Sequence, residues 1–270
     1  QDGPECVDGA MCGDGITAGW EECDDANQAD GDDCSAACHS TCTALHFDGE
    51  NDHVDLGEPD VLEFLLTSSF SIEFWLRQDT LTDTQAILSR GDLELASQNK
   101  NIVIRTWADG KVRFQVRGDA GQDKQARALT PAGVIGAGAW HHIHVQRELG
   151  VALRVFVDGQ LEATTTDGAG AITFTAPRPL RLGTLENHHG DLAFGGFFHG
   201  SMKLLRIWNR ALSAEEVATK QLQTLVPSEE EGLVAVFPMS EAAGTTIADT
   251  TGATPSGQVH GADWQVGLPM

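Results

Sequence analysis

All six cysteines of this 270-residue chain fall between Cys6 and Cys42, and none follows. They are Cys6, Cys12, Cys23, Cys34, Cys38 and Cys42. An even set packed this closely reads as a disulfide framework or a metal site. The segment has few large apolar residues, so burial alone cannot hold it together, and covalent cross-links must replace the missing core. Zinc fits less well, because paired C-x2-C knuckles are missing and hard carboxylates outnumber histidine there. Disulfides place the chain in an oxidising compartment, secreted or on the cell surface. The pairing of the six stays open.

The same segment is strongly acidic. "CDDANQADGDDC", from Cys23 to Cys34, holds five aspartates, one asparagine and no basic residue. Charges this dense repel unless a cation sits among them. The oxygens of Asp24, Asp25, Asn27, Asp30, Asp32 and Asp33 suit Ca2+, which takes six to eight oxygen ligands, and its charge would turn repulsion into cohesion. The spacing is not that of an EF-hand, which needs an acid or amide where Ala29 stands. A solvated acidic loop held by disulfides alone is the other reading. Formal net charge is −23 and no Lys or Arg precedes Arg77. That balance excludes a nucleic-acid partner and an anionic membrane face, both of which need clustered basic residues. No stretch approaches the ~20 apolar residues of a membrane helix, so no membrane insertion is expected. No signal peptide is visible at Gln1, so an exported chain is expected here in mature or trimmed form.

From Thr43 onward the pattern changes to short alternating strands. "FSIEFWLR" puts Phe70, Ile72, Phe74 and Leu76 on one face and Ser71, Glu73, Trp75 and Arg77 on the other. "KVRFQVR" sets Val112, Phe114 and Val116 against Arg113, Gln115 and Arg117. "WHHIHVQ" and "ALRVFVDGQL" follow, the latter turning on Asp158–Gly159, a strong hairpin signal. Further strands are expected at 101–107, 180–183, 201–208 and 233–237. Many short strands between Gly/Asp turns predict an all-β antiparallel sandwich. One helix stands out: Ser213 with Glu216 in "SAEEVATKQLQTL" is a capping box, and Pro227 lies beyond its end. It is expected at the rim of the sheets. Two units follow, a disulfide-rich acidic repeat at 1–42 and a sandwich at 43–270.

The second unit resembles the laminin G-like, concanavalin A-like jelly-roll family. The motifs that carry this are "ALHFDGENDHVDL", "FSIEFWLR", "WHHIHVQR", "LRVFVDGQ", "LRLG", "FHGSMKLLRIWNRALSAEEV" and "GLVAVFPMSEAAGTTIADTTG", in the family's order. The resemblance implies a two-sheet antiparallel jelly-roll sandwich without catalytic machinery, used for extracellular adhesion or carbohydrate binding. It also implies a calcium ion at the rim in many members. The family often places an acid where Lys203 stands, which counts against a calcium site on that strand, although Asp48 or Asp263 could contribute. The first unit, "CGDGITAGWEECDDANQADGDDCSAAC", resembles short cysteine-rich repeats of myxobacterial surface proteins. It departs from them at Ala26 and Asp33, where glycine is commoner. It is also similar to the Lin-12/Notch repeat, whose calcium layout Asp24, Asn27, Asp30 and Asp33 match best. Both kinds of module occur in pappalysin metalloproteases, but their HExxH helix is missing here, so that activity does not carry over.

Catalytic patterns are sparse. Sandwich glycosidases resemble one another in an E-x-D-x-E run; here "GDLELAS" offers only Asp92 and Glu94, which more often make a solvated face. His142 and His144 share a face and could bind zinc with a third ligand, for which His188–His189 is the nearest candidate, but sheet packing is the stronger reading. The loop "ENHHGDLAFGGFF", with Asn187, His188, His189 and Asp191, and Trp107 beside "ADG" are the expected ligand-binding residues. Trp20 is a second possible platform, and Trp75 and Trp140 are expected to fill sheet faces. The loop "RGDAGQDKQ" is another polar candidate, and the RGD triplets at Arg90–Asp92 and Arg117–Asp119 are too short to credit. The sequence therefore points to a non-catalytic recognition protein for a glycan or cell-surface protein, a monomer or a module of a larger chain. The alternatives are a glycan-active hydrolase on the same fold and a structural display spacer.

Overall fold

The computed structural model describes residues 42–91, 100–120, 125–174, 176, 178–185, 196–221, 223 and 225–268. The cysteine-rich segment up to residue 41, with its expected calcium ligands, Trp20 and five of the six cysteines, lies outside the described residues. So do Asp92, Glu94, Asn187, His188, His189 and Asp191.

Sixteen strands are present among the described residues: β1 (Cys42–Asp48), β2 (His53–Asp55), β3 (Phe70–Gln78), β4 (Gln85–Gly91), β5 (Asn101–Thr106), β6 (Val112–Arg117), β7 (Gln125–Leu129), β8 (Trp140–Glu148), β9 (Ala152–Val157), β10 (Gln160–Thr166), β11 (Leu180–Leu182), β12 (His199–Trp208), β13 (Leu233–Phe237), β14 (Thr246–Ile247), β15 (Gly257–His260) and β16 (Asp263–Leu268). Two short helices join them, α1 (Phe64–Thr67) and α2 (Ala214–Lys220). The first sheet runs β10-β9-β8-β3-β12-β1-β16, with β13 also paired to β12. The second runs β14-β15-β2-β11-β4-β5-β6-β7. All pairs are antiparallel, and consecutive strands often sit in different sheets, as in a jelly roll.

The alternation read from the sequence decides which residues enter the core. Phe70, Ile72, Phe74 and Leu76 of β3 and Val112, Phe114 and Val116 of β6 are fully buried in one continuous core between the sheets. Phe47, Leu182, Phe198, Met202 and Ile207 extend it. The hairpin at Asp158–Gly159 forms with φ of 49° and 76°. Positive φ at both central residues matches the twist of the flanking strands, and it is why Asp–Gly is favoured there.

The capping box of α2 is present, Ser213 Oγ accepting from the Glu216 amide and the Glu216 carboxylate from the Ser213 amide. The helix lies against the edge strand β10 and the turn at Gly159, where a Cβ would meet Ala218 and Gln221. From there it reaches over part of the outer face of the first sheet, where Val217 and Leu212 pack on Trp208 and Phe156. Trp208 and Phe156 point outward from the sheet, and burying them is what draws the helix onto that face.

Candidate functional site

A sandwich has two outer faces, and here they are finished differently. On the first sheet the outer row of β3 and β8 is buried under α2. Glu73, His142, His144 and Arg206 are at most 2% exposed. Glu73 Oε2 lies 3.3 Å from both His142 Nε2 and His144 Nδ1. Glu73 Oε1 accepts from Arg206 at 3.0 Å and from the Trp208 indole at 3.3 Å. Burial alone would raise the Glu73 carboxyl, but the hydrogen bonds from the two histidines outweigh it and hold it well below the usual range. Burial pushes His142 down, so it donates to Glu73 as a neutral ring. The H-x-H pair is thus sheet packing around a buried carboxylate. His141 is also engaged, with Nδ1 2.8 Å from Asp158 Oδ2 and Nε2 accepting from the Gly136 amide.

The outer face of the second sheet carries arginine. Arg105 on β5 stands directly opposite Arg113 on β6. Arg117 and Arg127 lie on the same face further along, since Gln115 pairs with Arg127 and Asn101 with Arg117. Arg181 on β11 faces the same way and reaches Asp55 at 3.3 Å. Five of the chain's 17 basic residues therefore share one face of a strongly acidic protein. Burial presses both Arg105 and Arg113 down to about 10, with the charges of Arg105 and Arg127 adding to the effect on Arg113. Both stay protonated at neutral pH. The Nε–H groups of both are buried without a hydrogen-bond acceptor. Neither side chain has a carboxylate partner among the described residues. Guanidinium groups of this kind are able to pair with a carboxylate or sulfate.

The surroundings of this pair are ordered. Trp107 follows β5, and its ring stacks 4.6 Å from the Arg113 guanidinium carbon. The turn that sets it there is closed by the Trp107 amide to Lys111 O and the Gly110 amide to Trp107 O. Gly110 has φ of +71°, and a Cβ there would meet Ile135 O at 2.4 Å, so only glycine allows the turn to pack. Beside the pair, Gln115 donates to Asn101 at 2.8 Å and accepts from Arg127 Nε at 2.9 Å. This ladder fixes the Arg127 head.

The expected ligand loop starts and ends at the same place. Leu185 packs on Ala86 and Val103 on this outer face. Gly196 O accepts from the Ala86 amide at 3.0 Å. Ala86 is the cross-strand partner of Arg105. The described ends of the loop holding Asn187, His188, His189 and Asp191 are therefore anchored next to the arginine pair. Trp107, expected from the sequence as a ligand platform, is the residue whose ring meets Arg113. Arg105 and Arg113 were not singled out, although alternation on both strands and the "ADG" turn between them carried the signal.

Other candidates have structural duties. A cleft of about 800 Å³ is lined by Glu63, Phe64, Thr67, Arg90, Ile172 and Phe174, among others. Arg90, from the first RGD triplet, donates to Leu62 O and Arg178 O, both at 3.1 Å, and pairs with Glu63. Little of its hydrogen-bonding capacity remains for a ligand. In the second triplet Asp119 pairs with Lys100. At the β1–β2 turn, burial raises the Asp52 carboxyl, with Asp48 and Asp263 nearby adding like charge. The Asp48 amide donates to Asp52 Oδ2 at 2.8 Å. That bond gives the turn an internal explanation for one of these acids. No helix among the described residues is long and apolar enough to cross a membrane.

Residues 48–218 match the family model described as the concanavalin A-like lectin/glucanases superfamily. Residues 2–39 match a domain of unknown function, DUF4215. No curated protein matches the chain in sequence. Solved structures share the fold. One is a Bacteroides ovatus protein provisionally described as carbohydrate-binding (TM-score 0.59, 19% identity), the match covering 83% of this chain and 59% of the other. The chain thus spans under two thirds of that protein's length. Another is a heptameric SAP-like pentraxin from Limulus polyphemus (TM-score 0.55, 14% identity), covering 84% of this chain and 95% of the other. A third is the CBM40 of the Ruminococcus gnavus IT-sialidase bound to α2,3-sialyllactose (TM-score 0.51, 16% identity), covering 67% of this chain and 97% of the other. At these identities the likeness is one of fold.

Proposed function

The chain belongs to the concanavalin A-like lectin/glucanase superfamily, and from that premise we propose that it is a non-catalytic recognition protein for acidic glycans. The observation that carries this is the Arg105–Arg113 pair beside Trp107, half-buried and without a carboxylate partner among the described residues. A guanidinium fork matches a carboxylate or sulfate in two parallel hydrogen bonds, and an indole supplies a flat apolar surface for a sugar ring. A protein of this fold binding sialyllactose, an acidic saccharide, supports the same ligand class. The protein is extracellular in this reading. Its first 42 residues form a module held by disulfides and by Ca2+ on Asp24, Asp25, Asn27, Asp30, Asp32 and Asp33. The density of cysteine and aspartate there supports that part.

The test is a glycan array containing sialylated, sulfated, uronate-bearing and neutral chains, followed by affinities for the best ligand. Acidic glycans are expected to bind and neutral ones not. A hydrogen bond to a charged group contributes about 1.5–3 kcal/mol, so Arg105→Ala and Arg113→Ala should each weaken binding roughly 10- to 150-fold. Equal binding of neutral glycans, unaltered in both variants, would refute the reading.

A further inference from the structure

On the outer face of the first sheet three partly exposed metal-ligating side chains converge, at positions that no described helix covers. They come from three neighbouring strands. His46 is on β1, His199 opens β12, and Asp79 directly follows β3. Asp79 Oδ2 lies 4.0 Å from His46 Nε2 and 3.8 Å from His199 Nε2. Each of the three residues offers one ligand atom, and these lie within 4.8 Å of one another. The two imidazoles meet edge-on at 6.2 Å, which aims their nitrogens at the carboxylate rather than stacking the rings.

The surroundings prepare these atoms as ligands. Ser201 donates its hydroxyl proton to Gln265 Oε1 at 3.0 Å. Its oxygen, 3.3 Å from His46 Nδ1, therefore accepts from Nδ1–H. That fixes the tautomer and leaves the Nε2 lone pair facing Asp79. A hydrogen-bond partner on the distal nitrogen is how proteins orient a histidine ligand. Asp79 is divided in the same way. Its Oδ1 faces Arg77 at 4.0 Å, and its Oδ2 faces the two histidines. The backbone holds His199 at both ends, through its amide to Gln85 Oε1 at 2.9 Å and its carbonyl to the Asp79 amide at 3.1 Å. At Gly200 the strands approach so closely that a Cβ would meet Arg77 O at 2.2 Å, which brings Asp79 against His199.

We propose that His46, Asp79 and His199 form a binding site for a divalent transition-metal ion of the zinc class. Two imidazoles and one carboxylate are ligands of borderline character, suited to zinc and unsuited to calcium, which takes oxygen alone. Tetrahedral ligands about 2.0 Å from zinc stand about 3.3 Å apart. The two Asp–His separations need to close by roughly 0.5 to 0.7 Å and the remaining one by up to about 1.5 Å, within reach of side-chain torsions at partly exposed positions. Three protein ligands leave the fourth position to water. The site lies on the opposite sheet from the arginine pair, so the two are independent.

The test is calorimetric titration of zinc into the metal-stripped full chain, with calcium in excess to fill oxygen-only sites. The wild type is expected to take up one zinc equivalent more than Asp79→Asn or His199→Ala, whatever the cysteine-rich segment binds. Ser201→Ala, which removes only the oxygen that holds His46 Nδ1, should weaken that equivalent about 10- to 100-fold. Cobalt(II) in place of zinc should give the visible absorption of a low-coordinate site in wild type, lost in Asp79→Asn. Arg105→Ala should retain the zinc equivalent. Unchanged metal-free melting temperatures identify folded variants, and Asp79→Asn, nearly isosteric at a part-exposed position, keeps the test open if His199→Ala misfolds. Equal zinc stoichiometry and affinity in wild type and Asp79→Asn would overturn the proposal. So would loss of the equivalent in Arg105→Ala.

Discussion

Replacing Glu73 by glutamine isolates the energetics of the buried network under α2. The carboxylate is 1% exposed and collects four donors, from His142, His144, Arg206 and Trp208. Glutamine keeps the shape but removes the charge that balances Arg206, itself only 2% exposed. Breaking a buried pair by removing one partner costs about 3–5 kcal/mol. Arg206 keeps bonds to Lys220 O and Gln223 O, at 2.9 and 2.7 Å, so the lower end applies. For a domain of this size, ~3 kcal/mol corresponds to about 6–12 °C in melting temperature. The pH dependence supplies an internal control. Glu73 is held well below its ordinary value of 4.5 in the folded chain. A carboxyl depressed in this way stabilises the fold fully above its unfolded value and loses that contribution as pH falls through the folded value. The gap between wild type and Glu73→Gln, measured by calorimetry, should therefore be full at pH 7 and narrow below about pH 4.5. Pairing Glu73→Leu with Arg206→Met should cost less than Glu73→Leu alone, because no uncompensated charge remains. A gap under about 1 kcal/mol, or one that stays constant with pH, would refute the assignment of Glu73 as the ionised centre of this network.

Asp249 holds the last strands together, accepting from the amides of Val236, Thr251 and Thr254 at 2.9, 3.0 and 2.8 Å. Burial would raise it, but these bonds prevail and lower it, so Asp249→Asn should lower the urea midpoint at neutral pH and converge on wild type as pH falls below 3.8. Gly183→Ala should destabilise the fold by about 1–3 kcal/mol. Its φ is +79° and a Cβ would stand 2.7 Å from the Phe47 ring; Gly57→Ala, with φ of +66° and open space around it, should cost less. Chelation of calcium should lower the melting of the cysteine-rich segment more than that of the sandwich, read by two-transition calorimetry; equal, negligible shifts in both would count against calcium among its aspartates.

What could be read from the sequence was local in origin. Period-two alternation in β3 and β6 named the core-facing residues, because one buried face imposes the pattern on its own strand. Ser213 with Glu216 marked α2, and Asp158–Gly159 marked the turn between β9 and β10, because each motif satisfies its own backbone. The strands β1, β2, β4, β7 and β14 to β16 were not named; β2, β14 and β15 have only two to four residues, and β4 is buried along its whole length, so it shows no alternation. The seat of α2 was also hidden. It depends on Phe156, on a strand distant in the chain, meeting the nearby Trp208 under the helix. The His46–Asp79–His199 cluster needs the order β3-β12-β1, and adjacency of strands from distant parts of the chain leaves no local trace. The histidines that drew attention, His142 and His144, were conspicuous because they alternate, and alternation here reflected a shared buried row.

The finish of the two outer faces bears directly on where recognition occurs. Over the buried network of the first sheet the surface is closed, by Val217 and Leu212 on Trp208 and Phe156. A ligand reaching Glu73 or His144 would have to displace the helix. The second sheet instead carries Arg105 and Arg113, whose Nε–H groups lack acceptors, in a chain of net charge −23. At long range that charge repels an acidic glycan. At physiological salt, however, the field is screened within about 8 Å, so the bound ligand responds mainly to the guanidinium groups it touches. Two opposite salt effects follow. Raising ionic strength should speed association, by screening the protein's overall repulsion. It should also speed dissociation, by weakening the contacts with Arg105 and Arg113. Only a local basic site in an acidic molecule requires both signs. A neutral-sugar site would respond to salt in neither rate.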